Sequence, residues 1–101
     1  MARQVYESSH PYDNNADERK TISVAGASQL VVTFEGEGGP GSECHTEEGY
    51  DRLRVYMGGI GDEPPLGVYE GHGKWAPLTV QGSMVTFHFE SDGSNNYWGY
   101  K

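Results

Sequence analysis

The sequence predicts an all-β domain, a β-sandwich or barrel, from three observations. Apolar and polar residues alternate with period two in short runs, most clearly in Met84-Val85-Thr86-Phe87-His88-Phe89-Glu90. There Val85, Phe87 and Phe89 face one way while Thr86, His88 and Glu90 face the other. Glycine occurs 15 times and tyrosine 7 times while hydrophobic residues reach only 35%, a balance that suits many turns between short strands. No window carries apolar residues at i, i+3, i+4 and i+7 over helical length, so no helix is expected. Short strands separated by glycine-rich turns, without an internal repeat, are the pattern of an all-β sandwich or barrel.

The elements follow in order. Ile22, Val24 and Ala27 lead into Leu30-Val31-Val32-Thr33-Phe34, a β-branched run bounded by Gly26 and Gly36. The Gly/Pro/Ser/Glu-rich connector between Glu35 and Glu43 cannot continue a strand. Leu53-Arg54-Val55-Tyr56 alternates as a half-buried strand should, and Met57-Gly58-Gly59 ends it. After a surface loop at Gly61-Asp62-Glu63-Pro64-Pro65, Leu66-Gly67-Val68-Tyr69 reads as a short strand, and Gly71-His72-Gly73 as the turn out of it. Trp75 is expected to pack against the core, as are Tyr50 and Tyr56 within or beside it. Leu78-Thr79-Val80 and the run from Met84 to Glu90, joined through Gly82-Ser83, complete the pattern.

Length and charge bound the function. A chain of 101 residues makes one domain, 1-101, with a single core. Its net charge of −8 argues against nucleic acid and against anionic membrane surfaces, and favours cations or basic partners. No stretch reaches the roughly 18 apolar residues of a membrane span. Cys44, the single cysteine, excludes an intrachain disulfide and reads as a free loop thiol. Met1-Ala2-Arg3-Gln4 offers no apolar signal region, so an intracellular protein or a domain of a longer chain is expected.

Two acidic clusters stand out against this background: Thr46-Glu47-Glu48-Gly49-Tyr50-Asp51 and Ser91-Asp92-Gly93-Ser94-Asn95-Asn96-Tyr97-Trp98-Gly99. Small, hydroxyl and amide residues interleave the carboxylates, which is the oxygen mix that hard cations take up. Asp51 opens one predicted strand and Asp92 closes another, so an antiparallel pairing puts both at one end of the sheet. Carboxylates that close repel one another unless a cation lies between them. Catalysis has little support, since neither a nucleophile elbow nor an acid/base pair is present. His10, His45, His72 and His88 lack the paired spacing of a zinc site.

The order of motifs resembles the CUB domain family. Thr46-Glu47-Glu48-Gly49-Tyr50-Asp51-Arg52-Leu53-Arg54-Val55-Tyr56 is similar to the family's "TE-x-x-YD-x-L-x-I-Y" segment, and Leu66-Gly67-Val68-Tyr69-Glu70-Gly71 to its "LG-x-Y-x-G" segment. Val85 to Asp92 resembles the "V-x-F-x-F-x-SD" strand, and Trp98-Gly99-Tyr100-Lys101 the closing "GF/GY". The opening Ser9 to Asn15 followed by Thr21-Ile22 looks like the cysteine-poor CUB-like modules of large intracellular proteins of ubiquitin-ligase type. The resemblance implies an antiparallel β-sandwich of jelly-roll type that binds one Ca2+ at one end. Glu47, Asp51 and Asp92 match the family's acidic ligands, while Gly93 and Asn95 or Asn96 match its carbonyl and amide ligands. Glu48 is expected to face solvent.

A non-catalytic recognition module follows, with calcium ordering the loops and the site engaging a Lys or Arg side chain of a protein partner. Two alternatives stay open: a calcium-dependent glycan-binding module with Tyr12, Tyr97 and Trp98 as a stacking platform, and a structural module with a degenerate metal site. The family also runs on into a final strand after its "GF", and a sheet lacking it would present an edge open to another chain.

Overall fold

The structure, a computed structural model, describes residues 4–36, 38–39, 42–58, 64–93 and 97–101. Among the described residues eight strands follow one another: β1 Asp17–Ser23, β2 Gln29–Val32, β3 Cys44–His45, β4 Arg52–Met57, β5 Gly67–Tyr69, β6 His72–Gly73, β7 Leu78–Gln81 and β8 Met84–Glu90. One sheet has the order β1-β8-β4-β5, and the pairs β2-β7 and β3-β6 stand apart from it. Every pairing is antiparallel. The C-terminal segment links the two pairs: the Glu35 N–H donates to the Lys101 carbonyl at 2.9 Å, and Gly99 bridges to His45. The antiparallel β-sandwich expected from the sequence is the architecture observed.

Alternation builds the core. Leu53 and Val55 from β4, Val80 from β7, and Val85, Phe87 and Phe89 from β8 are buried together with Tyr12, Trp75 and Tyr100. Trp75 stacks on Tyr69 and Tyr100 and meets Phe34 edge-on, the packing role its sequence setting suggests. On the opposite face of β8, Thr86 and His88 are also buried, at 3% and 8% exposure. β8 is flanked on both sides, so neighbouring side chains roof that face. Thr86 bonds Thr21 and donates to the Gly58 carbonyl, while His88 Nε2 meets Asp17 at 2.6 Å.

Four expectations need correction. Ile22 does not lead into β2; it lies in a separate strand, β1, which turns at Gly26 (φ +83°) before β2 begins. Cys44 is no loop thiol: it is fully buried in β3, its Sγ donates to the Glu35 carbonyl, and burial raises its pKa to about 11. His72-Gly73 is a strand paired with β3 rather than a plain turn. Tyr50 packs on nothing comparable, being 67% exposed at the tip of the turn before β4.

Candidate metal centre

The site grows from the ends of two paired strands. β4 begins at Arg52 and β8 ends at Glu90, and these residues are directly opposite one another. Asp51 and Asp92, one residue before and two residues after, therefore emerge at one end of the sheet. Glu47 joins them through a tight turn in which its carbonyl accepts from the N–H groups of Tyr50 (3.2 Å) and Asp51 (2.9 Å). Gly49 within that turn has φ +86°, a conformation glycine adopts without steric cost. One ligand atom from each of Glu47, Asp51 and Asp92 lies within 4.8 Å of the others.

Asp51 is the pivot, with 0% exposure. Its Oδ2 accepts from the Tyr12 hydroxyl at 2.6 Å and its Oδ1 from the Asp92 N–H at 2.8 Å. The Tyr12 oxygen also accepts from the Glu47 N–H at 3.1 Å, so one phenol contacts two of the three acidic residues. Burial, and then the bond to Asp51, raises the Tyr12 pKa well above the ordinary phenol value, which keeps the proton it donates. Thr46, also buried, donates to the Asp51 carbonyl and ties to Gly71 through both its amide and its hydroxyl. On the other side, the Asp92 carbonyl accepts from the Asn15 N–H at 2.7 Å. Ser91 Oγ donates to the Asp13 carbonyl and accepts from the Ala16 N–H.

The donor set suits a hard cation. Three carboxylates converge in a half-buried place where their mutual repulsion is poorly screened. The basic side chains of Arg52, Arg54 and Lys101 pair with Glu70, Glu90 and Glu35. An all-oxygen set with flexible geometry matches Ca2+ better than zinc, which prefers nitrogen and sulfur. Gly93 sits exposed in the turn after Asp92, and Asn95 and Asn96 lie outside the described residues. Glu48 is exposed, as its position suggests.

Of the aromatics considered as a stacking platform, Tyr12 is buried while Tyr97 and Trp98 stack on histidines. Tyr12 is 2% exposed and serves the acidic cluster, so it offers no face to a ligand. Tyr97 is stacked on His45 with centroids 3.9 Å apart, and Trp98 on His10 at 3.7 Å. Sequence reasoning missed the bracing by Tyr12 and Thr46. Tyr12 lies 39 residues from Asp51, and only the folded topology brings them together.

A β-sandwich with an acidic cluster gathered at one end is the plan of a small binding module, and comparison with known proteins agrees. The chain belongs to the CUB domain family, whose model matches residues 3–101. CUB domains commonly mediate protein interactions. The chain is 33% identical over 101 residues to human zinc finger ZZ-type and EF-hand domain-containing protein 1, covering all of this chain and 3% of that protein. It is 30% identical over the same length to the mouse protein of that name. Human E3 ubiquitin-protein ligase HERC2 is 33% identical over 98 residues, which is 96% of this chain and 2% of HERC2. The chain thus spans only a few per cent of the length of these curated relatives.

Proposed function

We propose that this chain is a non-catalytic recognition module in which a calcium ion, held by Glu47, Asp51 and Asp92, orders the loops at one end of the sandwich. The observation that carries this reading is the convergence of Glu47 and Asp92 on a fully buried Asp51. When bound, the ion supplies charge neutralisation and a fixed oxygen geometry. The protein's own part is to hold the carboxylates in place: Tyr12 and the Asp92 N–H orient Asp51, and Thr46 anchors the turn bearing Glu47. By the family resemblance, Gly93 and Asn95 or Asn96 are the candidates to supply the remaining carbonyl and amide ligands. The ordered end then presents residual negative charge to a basic Lys or Arg side chain of a protein partner, in keeping with the net charge of −8.

A thermal melt with excess calcium and with chelator tests this reading. At calcium a hundredfold above its Kd, linkage adds about 2.7 kcal/mol, which for a domain of this size raises Tm by more than about 10 °C. Equal melting temperatures in the two conditions overturn it.

A further inference from the structure

Among the described residues, β2 pairs with β7 along one edge and with no strand along the other. Two hydrogen bonds show which backbone groups the open edge carries. The Ser28 carbonyl accepts from the Gly82 N–H at 2.9 Å, on the β7 side. The Glu35 N–H donates to the Lys101 carbonyl at 2.9 Å, away from β7. Exposure alternates without a break from Gln29 to Phe34, so the chain stays extended between these two points. Backbone groups of an extended chain address its two edges in turn. Ser28, Leu30 and Val32 therefore turn theirs to β7, while Gln29, Val31 and Thr33 join Glu35 on the open edge.

That edge borders a groove of about 980 Å³. Beside β2, its lining includes Val5 and Tyr6 of the N-terminal segment, Ile22 of β1, and Val85 and Phe87 of β8. Tyr6, Ile22, Leu30, Val32 and Phe34 pack on the core yet are only half-buried. Val5 and Val31 are 58% and 65% exposed. The charged residues of the lining, Glu35 and Lys101, pair with each other at 3.3 Å. An apolar trough thus runs beside a row of unpaired backbone groups.

We propose that this groove takes an extended strand of a partner protein, laid along residues 29–35, with apolar side chains turned into the trough at every second position. Main-chain bonds to Gln29, Val31 and Thr33 supply affinity, and the half-buried apolar lining selects the alternate side chains. A helix spends its backbone groups internally and cannot satisfy such an edge. The Lys101 carbonyl on Glu35 already makes the first bond of the ladder. Antiparallel is the orientation proposed, as in every other ladder of the fold. At about 3.3 Å per residue the contact is about 23 Å long. The net charge of −8 favours basic over acidic residues at the partner's outward positions. Glu47, Asp51 and Asp92 do not line the groove, so this surface is separate from the acidic cluster.

The probe is the peptide Lys-Val-Thr-Val-Thr-Val-Lys, acetylated and amidated, titrated calorimetrically into the whole chain with Ca2+ and again with chelator. Saturable one-to-one binding is expected in both, moving the backbone amide NMR signals of Gln29, Val31 and Thr33. Val31→Pro removes an outward N–H and spares those that face β7. It should weaken binding about tenfold while the β-rich circular dichroism is kept. Val31→Thr keeps the N–H and should keep the affinity. A peptide with prolines at its third and fourth positions lacks an N–H on either side and should not bind the wild-type chain, which tests the ladder without altering the protein. No saturable binding of the first peptide, equal binding of the proline peptide, or full affinity in Val31→Pro overturns the proposal. Binding that persists in chelator separates this result from the fate of the calcium reading.

Discussion

Tyr12 shows how one side chain serves both fold and site. Its ring packs edge-on against Phe89 in the core while its hydroxyl donates to Asp51 and accepts from the Glu47 N–H. Removing that hydroxyl in Tyr12→Phe leaves the ring in place but loses a buried bond to a carboxylate, costing about 1.5–3 kcal/mol in a denaturant titration. Groups that orient metal ligands typically matter by about 10–100-fold in affinity, so the same variant should weaken calcium binding by that order. An unchanged Kd would show that Asp51 needs no bracing. Asp51→Asn is the sharper probe than Asp51→Ala, because an amide keeps an acceptor for the Asp92 N–H while lowering the charge. At this scale Asp51 and Asp92 were readable, since each sits beside a strand end marked by alternation, whereas Glu47 was singled out by the family motif. Tyr12 as the brace of Asp51 was not, because it depends on a contact between segments distant in sequence.

Among the elements, β4 and β8 were visible because their sequences alternate apolar with polar residues, although only β4 alternates in burial and β8 is buried on both faces. β1 was hidden. Its sequence Asp17-Glu18-Arg19-Lys20-Thr21-Ile22-Ser23 is almost wholly exposed, and it is a strand because β8 offers it a ladder, seven residues in register. Edge strands rich in charge are a common way of blunting an edge, and such strands carry little hydrophobic signal. β3 and β6, with two residues each, are too short for any periodicity. The N-terminal segment is held just as specifically: Ser8 Oγ accepts from the Tyr100 N–H, and the Ser8 N–H donates to the Tyr100 carbonyl. Gly99 permits this approach, with φ +95°, and an added Cβ would stand 2.0 Å from Ser8 Oγ. Gly99→Ala combines a clash with an unfavourable backbone and should cost more than about 2 kcal/mol in urea unfolding. A wild-type midpoint would contradict the docked position of residues 8–12.

For the molecule as a whole, pH and cations are the levers. Burial, followed by the hydrogen bond it shares with Tyr6, pushes the Tyr100 phenol far above its ordinary pKa, and burial with Asp51 does the same to Tyr12. In the unfolded chain both titrate near pH 10. Above that pH the unfolded state binds fewer protons than the folded state, so stability present below about pH 10 is lost as pH rises. Phenolate absorbance should therefore develop in two stages, exposed tyrosines first and Tyr12 and Tyr100 only with unfolding. A single stage completed while near-UV circular dichroism stays native would contradict their burial.

Calcium titration followed by isothermal calorimetry, on the wild-type chain and on Asp92→Asn, tests the acidic site most directly. Saturable one-to-one binding in the wild type, lost in Asp92→Asn while the variant keeps its β-rich circular dichroism, is the predicted result. No heat of binding in the wild type, together with a melting temperature unmoved by chelator, would contradict it.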